Sequence, residues 1–207
     1  MLAVLSLVSL AVSVLATPLV NREDVSCETI YSGGLLWTSK TFPAGIPAGF
    51  QYTSQASAFL ALESDSSIEF AFQQCDSSFM GYQTTSNGTA TVSYGHIAIV
   101  DSAQTDSCLT TGGPTVAGSP YLILNDECLY EDSSLQLVQY WSLTNDSVTG
   151  NLSIAFIGVS ASGSTIGDSG NLSYPYGIWD FDSTPAITTV SYKEAGVPSD
   201  YQIYFTS

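Results

Sequence analysis

Basic side chains are almost absent from this sequence: Arg22, Lys40 and Lys193 stand against 19 acidic residues. The resulting formal net charge of −16 repels phosphate backbones and anionic lipid surfaces. Nucleic acid and membrane are therefore not expected as partners, and the plainest use of the charge is solubility in an acidic medium. Histidine occurs once, at His96. A nucleophilic triad would have to be built on it, yet it stands directly before the alternating Ile97-Ala98-Ile99, where a hydrogen-bonded structural histidine is expected. There is no Cys-x-x-Cys pair and no Asp-x-Asp-x-Asp-Gly run, so neither a metal site nor a cofactor is expected. Helical periodicity is missing as well. After Ala16 no apolar run is long enough to cross a bilayer as a helix, which takes about 20 residues.

What is present points outside the cell. Residues 1–16 carry no charged side chain, end in Val14-Leu15-Ala16, and are too short for a spanning helix, so they are expected to be a secretory signal peptide. Residues 17–26 read as a flexible leader, and residues 27–207 as a single domain with enough chain for its own core. Cys27, Cys75, Cys108 and Cys128 form an even set, as two disulfides would require. Four cysteines allow three pairings; the sequential one, Cys27–Cys75 with Cys108–Cys128, is favoured because it closes local loops. Asn-x-Ser/Thr sequons at Asn87, Asn145, Asn151 and Asn171 call for exposed, glycosylated positions in a secreted chain.

Short apolar or alternating runs recur between Gly, Ser, Asp and Asn turns. They include Leu35-Leu36-Trp37, Phe59 to Leu62, Ile68 to Phe72, His96 to Val100, Tyr121 to Leu124 and Leu135 to Leu143. Leu152 to Ile157, Gly177 to Phe181, Ile187 to Tyr192 and Tyr201 to Phe205 complete the set, and Gly158 to Gly170 reads as a long surface loop. About a dozen short strands with such turns make an all-β barrel or a β-sandwich.

The stretch from Tyr94 to Leu143 holds Tyr94-Gly-His-Ile, then Cys108-Leu109-Thr110, an apolar strand running into Cys128, and Gln139-Tyr140-Trp141. In this order it resembles the repeat of the ricin-B-type lectins: strand, Cys-Leu, strand, Cys, Gln-x-Trp. The resemblance covers these residues and fits the rest of the chain loosely; the composition is also similar to that of small secreted fungal proteins. It implies a β-trefoil of three pseudo-repeats and about twelve strands, with Gln139 and Trp141 packed in the core. Independently, an indole is large enough to fill the middle of a small barrel, and an amide can satisfy buried backbone groups.

In that family a sugar-binding repeat carries an acid, an aromatic and an amide where this chain has Thr110, Asp126 and Val138. The usual pocket is thus missing here. Carbohydrate would have to bind elsewhere, and Tyr121, Tyr130, Trp179 and Asp180 are the candidate ligand residues. The resemblance implies a binding protein and no enzyme, with an extracellular glycan or a secreted protein as partner. One alternative is a protein-binding module, such as a protease inhibitor or an effector. The other is an acid hydrolase using carboxylates from Glu63, Asp65 and Glu69, or from Asp126, Glu127, Glu131 and Asp132.

Overall fold

The computed structural model describes residues 24–52, 58–62, 66–100, 106–112, 120–165, 172–179, 187–191, 193–194 and 199–206. Residues 1–16, expected to be a signal peptide, and Asn171 lie outside the described residues, as do Glu63, Asp65 and Asp180. The fold is all-β and antiparallel. Among the described residues the one helical element is a 3-10 turn at Ser134–Val138. In chain order the strands are β1 (Ser26–Ser39), β2 (Ile46–Tyr52), β3 (Ala58–Leu62), β4 (Glu69–Asp76) and β5 (Thr85–Ser86). Next come β6 (Ala90–Val100), β7 (Ser107–Thr111), β8 (Pro120–Glu127), β9 (Trp141–Asp146) and β10 (Leu152–Phe156). The last are β11 (Leu172–Ser173), β12 (Tyr176–Trp179), β13 (Ile187–Ser191), β14 (Lys193–Glu194) and β15 (Tyr201–Thr206).

Six strands pair around a closed ring: β1 with β4, β4 with β6, β6 with β9, β9 with β10, β10 with β15, and β15 with β1 again. Three hairpins, β2–β3, β7–β8 and β12–β13, interrupt the chain between successive ring strands. The hairpins also pair with one another, through Phe59↔Leu124, Ile187↔Ala61 and Thr189↔Leu122.

Alternation explains which side chains enter the ring. In β15, Ile203 and Phe205 are buried, and across from them in β1 so are Trp37 and Leu35. These four join Phe70, Phe72, Ile97, Leu109, Ile123 and Trp141 in one core cluster. The Trp141 ring is fully buried, meets Phe156 edge-on at 5.1 Å, and donates its Nε1 proton to the Leu109 carbonyl at 3.0 Å. Two glycines let strands approach more closely than a side chain would permit. A Cβ on Gly33 would stand 2.0 Å from the Thr206 carbonyl oxygen, and one on Gly95 would stand 1.9 Å from that of Gln73. Only the smallest residue fits at either place.

Two local features depart from the sequence expectation, and a third, the expected 158–170 surface loop, is described only to Thr165. Leu135 to Leu143 is not one strand: Ser133 accepts from the Leu135 amide, a 3-10 turn follows, and β9 begins at Trp141. The leader is tied in at its end, because Val25 is buried and donates its amide to the Tyr130 carbonyl at 2.5 Å, while Asp24 bridges to Glu131. In the expected 158–170 loop, Val159 bridges to Thr165 and Ser160 donates to and accepts from Ser164 in the main chain or side chain.

Disulfides join Cys27 to Cys75 and Cys108 to Cys128. The first lies directly across the β1–β4 ladder; the second ties β7 to the segment after β8. They close sequence separations of 48 and 20 residues. Loop-closure entropy ranks the first higher, at about 4 against about 3 kcal/mol. Paired Cys→Ser variants measured by denaturant unfolding should lose stability in that order.

Candidate ligand-binding site

The residues singled out by the Gln-x-Trp motif serve the core. Gln139 is buried; its Oε1 accepts from the Leu129 amide at 2.8 Å, and its Nε2 donates to the Glu127 carbonyl and to Thr110 Oγ1 at 2.6 and 2.7 Å. Thr110 thus faces inward, Asp126 is exposed and accepts from the Glu127 amide, and the Val138 carbonyl accepts from Thr111. Of the four candidate ligand residues, Asp180 lies outside the described residues. Tyr121 sits half-buried in β8. Tyr130 donates its hydroxyl to Gln73 Oε1 at 3.1 Å beside the start of β1. Trp179 ends β12 with its side chain outside the described residues.

His96 is fully buried, and the sequence signal missed its partner, Gln136. The Gln136 Nε2 donates to the carbonyls of Leu129 and Glu131, at 2.5 and 2.8 Å, which fixes the orientation of the amide. Its Oε1 therefore faces His96 Nε2 at 2.6 Å and must accept from it. The imidazole is then the neutral Nε2–H tautomer. Its Nδ1 has no partner among the described residues, and its ring lies beside the Cys27–Cys75 disulfide, whose bond occupies both sulfurs.

A polar cleft of about 380 Å³ is lined by residues of β1, β4 and β6 and of the segment ahead of β5. Register builds its floor. Cys27 opposes Cys75, so Ser26 opposes Asp76 and Glu28 opposes Gln74, with all four flanking side chains exposed. The wall comes from Tyr94 of β6 and from Tyr82, Gln83 and Thr84 ahead of β5. The Tyr82 and Tyr94 rings stack with centroids 4.6 Å apart and planes 15° from parallel. Burial, and then the neighbouring Tyr94, push the Tyr82 hydroxyl above its ordinary pKa, so it stays a neutral donor.

The turn that carries Tyr82 is clamped by Asp132. That carboxylate accepts from the Ser77 hydroxyl at 2.6 Å and from the Ser78 and Phe79 amides at 3.1 Å. Burial raises the Asp132 pKa, but these donors outweigh it and hold the carboxyl below its ordinary value. Asp146 is also held low, by the Val148 and Thr149 amides. Glu69, Asp126 and Glu127 of the suggested hydrolase clusters are exposed.

No family model, curated protein or solved structure matches the chain. What the cleft can do must be argued from its own groups. It offers two carboxylates and two amides to hydroxyl groups, an aromatic pair to C–H faces, and no cation among its lining residues. Sequence reasoning assigned none of these residues to a ligand site. The signal that would have found them is the disulfide pairing: once Cys27 and Cys75 are opposed in antiparallel strands, Ser26, Glu28, Gln74 and Asp76 must share one face.

Burial lowers the His96 pKa to about 4 from 6.5, against the opposing pull of its bond to Gln136. Its stabilising contribution is therefore complete above pH 6.5 and lost as the pH falls towards 4, because the unfolded chain takes up the proton first. The loss is on the order of 3 kcal/mol. Denaturant midpoints between pH 7 and 4 should fall for the native chain, and His96→Gln should flatten that slope. The Asp132 contribution titrates below this window, since its folded carboxyl sits under its ordinary value of 3.8.

Proposed function

We propose that the chain is a secreted β-trefoil of the ricin-B lectin-like type that binds a neutral glycan through the Tyr82–Tyr94 cleft. The trefoil reading is supported by the six-strand ring and by the three mutually paired hairpins set between its strands. On that reading the pseudo-repeats run over 26–76, 90–146 and 152–206, each a ring strand, a hairpin and a ring strand. Secretion is supported by the two disulfides and by the exposure of the sequon residues Asn87, Asn145 and Asn151. No helix among the described residues is long and apolar enough to cross a membrane.

The observation that carries the glycan reading is the stacked tyrosine pair bordered by Glu28, Asp76, Gln74 and Gln83. Carboxylates and amides grip sugar hydroxyls, while an aromatic surface packs on the apolar side of the ring. An anionic ligand would meet the net negative charge unaided by any cation in the cleft. A protein partner would need a contiguous apolar patch. Among the described residues, the large exposed hydrophobics Ile30, Phe42, Val100, Leu135 and Val148 are spread over β1, the turn after it, the end of β6, the 3-10 turn and the β9–β10 turn. Acid hydrolysis needs a carboxyl held protonated. Among the described residues, the carboxyls with a shifted pKa, Asp132 and Asp146, are moved the opposite way.

The test is a neutral-glycan array probed with enzymatically deglycosylated protein. Binding should weaken at least about tenfold, or about 1.4 kcal/mol, in Tyr94→Ala and in the exposed Glu28→Gln, with unfolding midpoints checked in parallel. An array without binding, or binding untouched by both variants, removes the cleft as a glycan site.

A further inference from the structure

A larger depression, about 650 Å³, lies on the outer face of β1 and β15. Its floor includes Leu36, Pro43 and Tyr204; Lys40 and Asp200 stand at one side, and Asn151 lines another. Tyr204 opposes Leu36 on β1 and Ser153 on β10. Asn151 is two residues before Ser153 and so falls in the same outward row, diagonal to Tyr204. Diagonal neighbours of this kind are about 7–8 Å apart, within reach of a long group. The Tyr204 hydroxyl donates to Gln202 Oε1, two residues away on the same strand face, and this ties the ring down along β15.

Asn151 is also the first residue of Asn151-Leu152-Ser153, and it is exposed. The sequons at Asn87 and Asn145 belong to the same end of the ring. The Asn87 turn and the β9–β10 turn are joined there by Ser147, whose amide and hydroxyl both donate to the Thr89 carbonyl, at 2.8 and 2.9 Å. Asn151 differs from those two in standing on the rim of a concave surface with an aromatic floor.

We propose that Asn151 carries an N-linked glycan whose first sugar packs on Tyr204, so that this depression holds the chain's own carbohydrate. The inference rests on the secreted part of the functional reading, not on the Tyr82–Tyr94 cleft. The Asn151 Nδ2 bonds to the anomeric carbon of N-acetylglucosamine, loses a proton, and displaces the diphosphate of a lipid-linked oligosaccharide donor. A sugar tethered at the rim has an effective concentration in the millimolar range, which free glycans must outcompete. The apolar face of its ring covers Tyr204 and Leu36, and its hydroxyl and acetamido groups meet the polar side chains of the rim.

The experiment uses the full chain made in a eukaryotic secretory host. Glycopeptide mapping should find Asn151 occupied. Thermal unfolding is then compared for the native chain, Tyr204→Ala, Asn151→Gln and the double variant. Tyr204→Ala should lower Tm by about 2–4 °C more when the glycan is present than in the Asn151→Gln background. Ser153→Ala, which abolishes the sequon but keeps Asn151, must reproduce Asn151→Gln. Equal Tyr204→Ala losses with and without sugar overturn the proposal, as does an empty Asn151 beside occupied Asn87 and Asn145. Sugar missing from all three overturns the secreted reading with it.

Discussion

The ring depends on one strand serving two neighbours within it. β1 gives its first half, Ser26 to Gly33, to β4 and its second half, Gly34 to Ser39, to β15. Gly33 makes the handover, since a side chain there would strike the Thr206 backbone. The first strand therefore closes on the last, and closing a loop of that length has a large entropic cost. The compensation is local to the closure: Leu35 faces Phe205 and Trp37 faces Ile203, and all four are buried. Closure also removes the exposed edges that a sheet of this size would otherwise present. Pairings this distant in sequence imply slow folding relative to helical domains of the same length.

The stretch between β8 and β9 presents the opposite difficulty. Its backbone enters the interior without a ladder to satisfy it, and buried amides and carbonyls must be paired. Two glutamines do this work from the side chain. Gln139 serves the Leu129 amide and the Glu127 carbonyl, and Gln136 serves the carbonyls of Leu129 and Glu131. His96 completes the second set from β6. From the same stretch Asp132 reaches the turn at Ser77 to Phe79, and that turn leads to Tyr82. The stretch that satisfies its own buried backbone thus also holds the turn leading to the wall of the cleft.

How much of this the sequence revealed varies with the range of the contacts. β15 is legible because Tyr201, Ile203 and Phe205 alternate without interruption, and Trp141 is legible because Gln139 and two cysteines surround it. β1 is not, since Gly33-Gly34 reads as a turn and its outward positions, Glu28, Thr29 and Ser32, look like loop. Pairing with β4 along the first half and with β15 along the second overrides that local preference. The segment from Leu135 to Leu143 misleads for a different reason: its apolar spacing suits a strand, but Ser133 caps a turn and Gln136 is drawn inward to His96. The cleft draws on β1, β4, β6 and a turn, so no single window contains it. Tyr121 and Tyr130 looked like platforms by their residue type alone, while their positions in β8 and against Gln73 depended on register.

Both depressions offer tyrosine, amide and carboxylate, and the larger adds Leu36, Pro43 and Lys40. Residue type cannot tell a ligand site from a surface that the protein covers itself. What separates them is attachment. Asn151 stands at the rim of one, so a sugar bound there would be present in every molecule at a local concentration no free ligand matches. The other has no sequon among its lining residues and lies between a disulfide-tied strand pair and a clamped turn, both fixed before any ligand arrives. Preorganisation lowers the entropy lost on binding, and a field dominated by negative charge leaves neutral polyols as the ligands least penalised on approach. On the proposed reading, it is the combination of rigidity, openness and charge, rather than the presence of aromatic residues, that favours the smaller cleft for an external glycan.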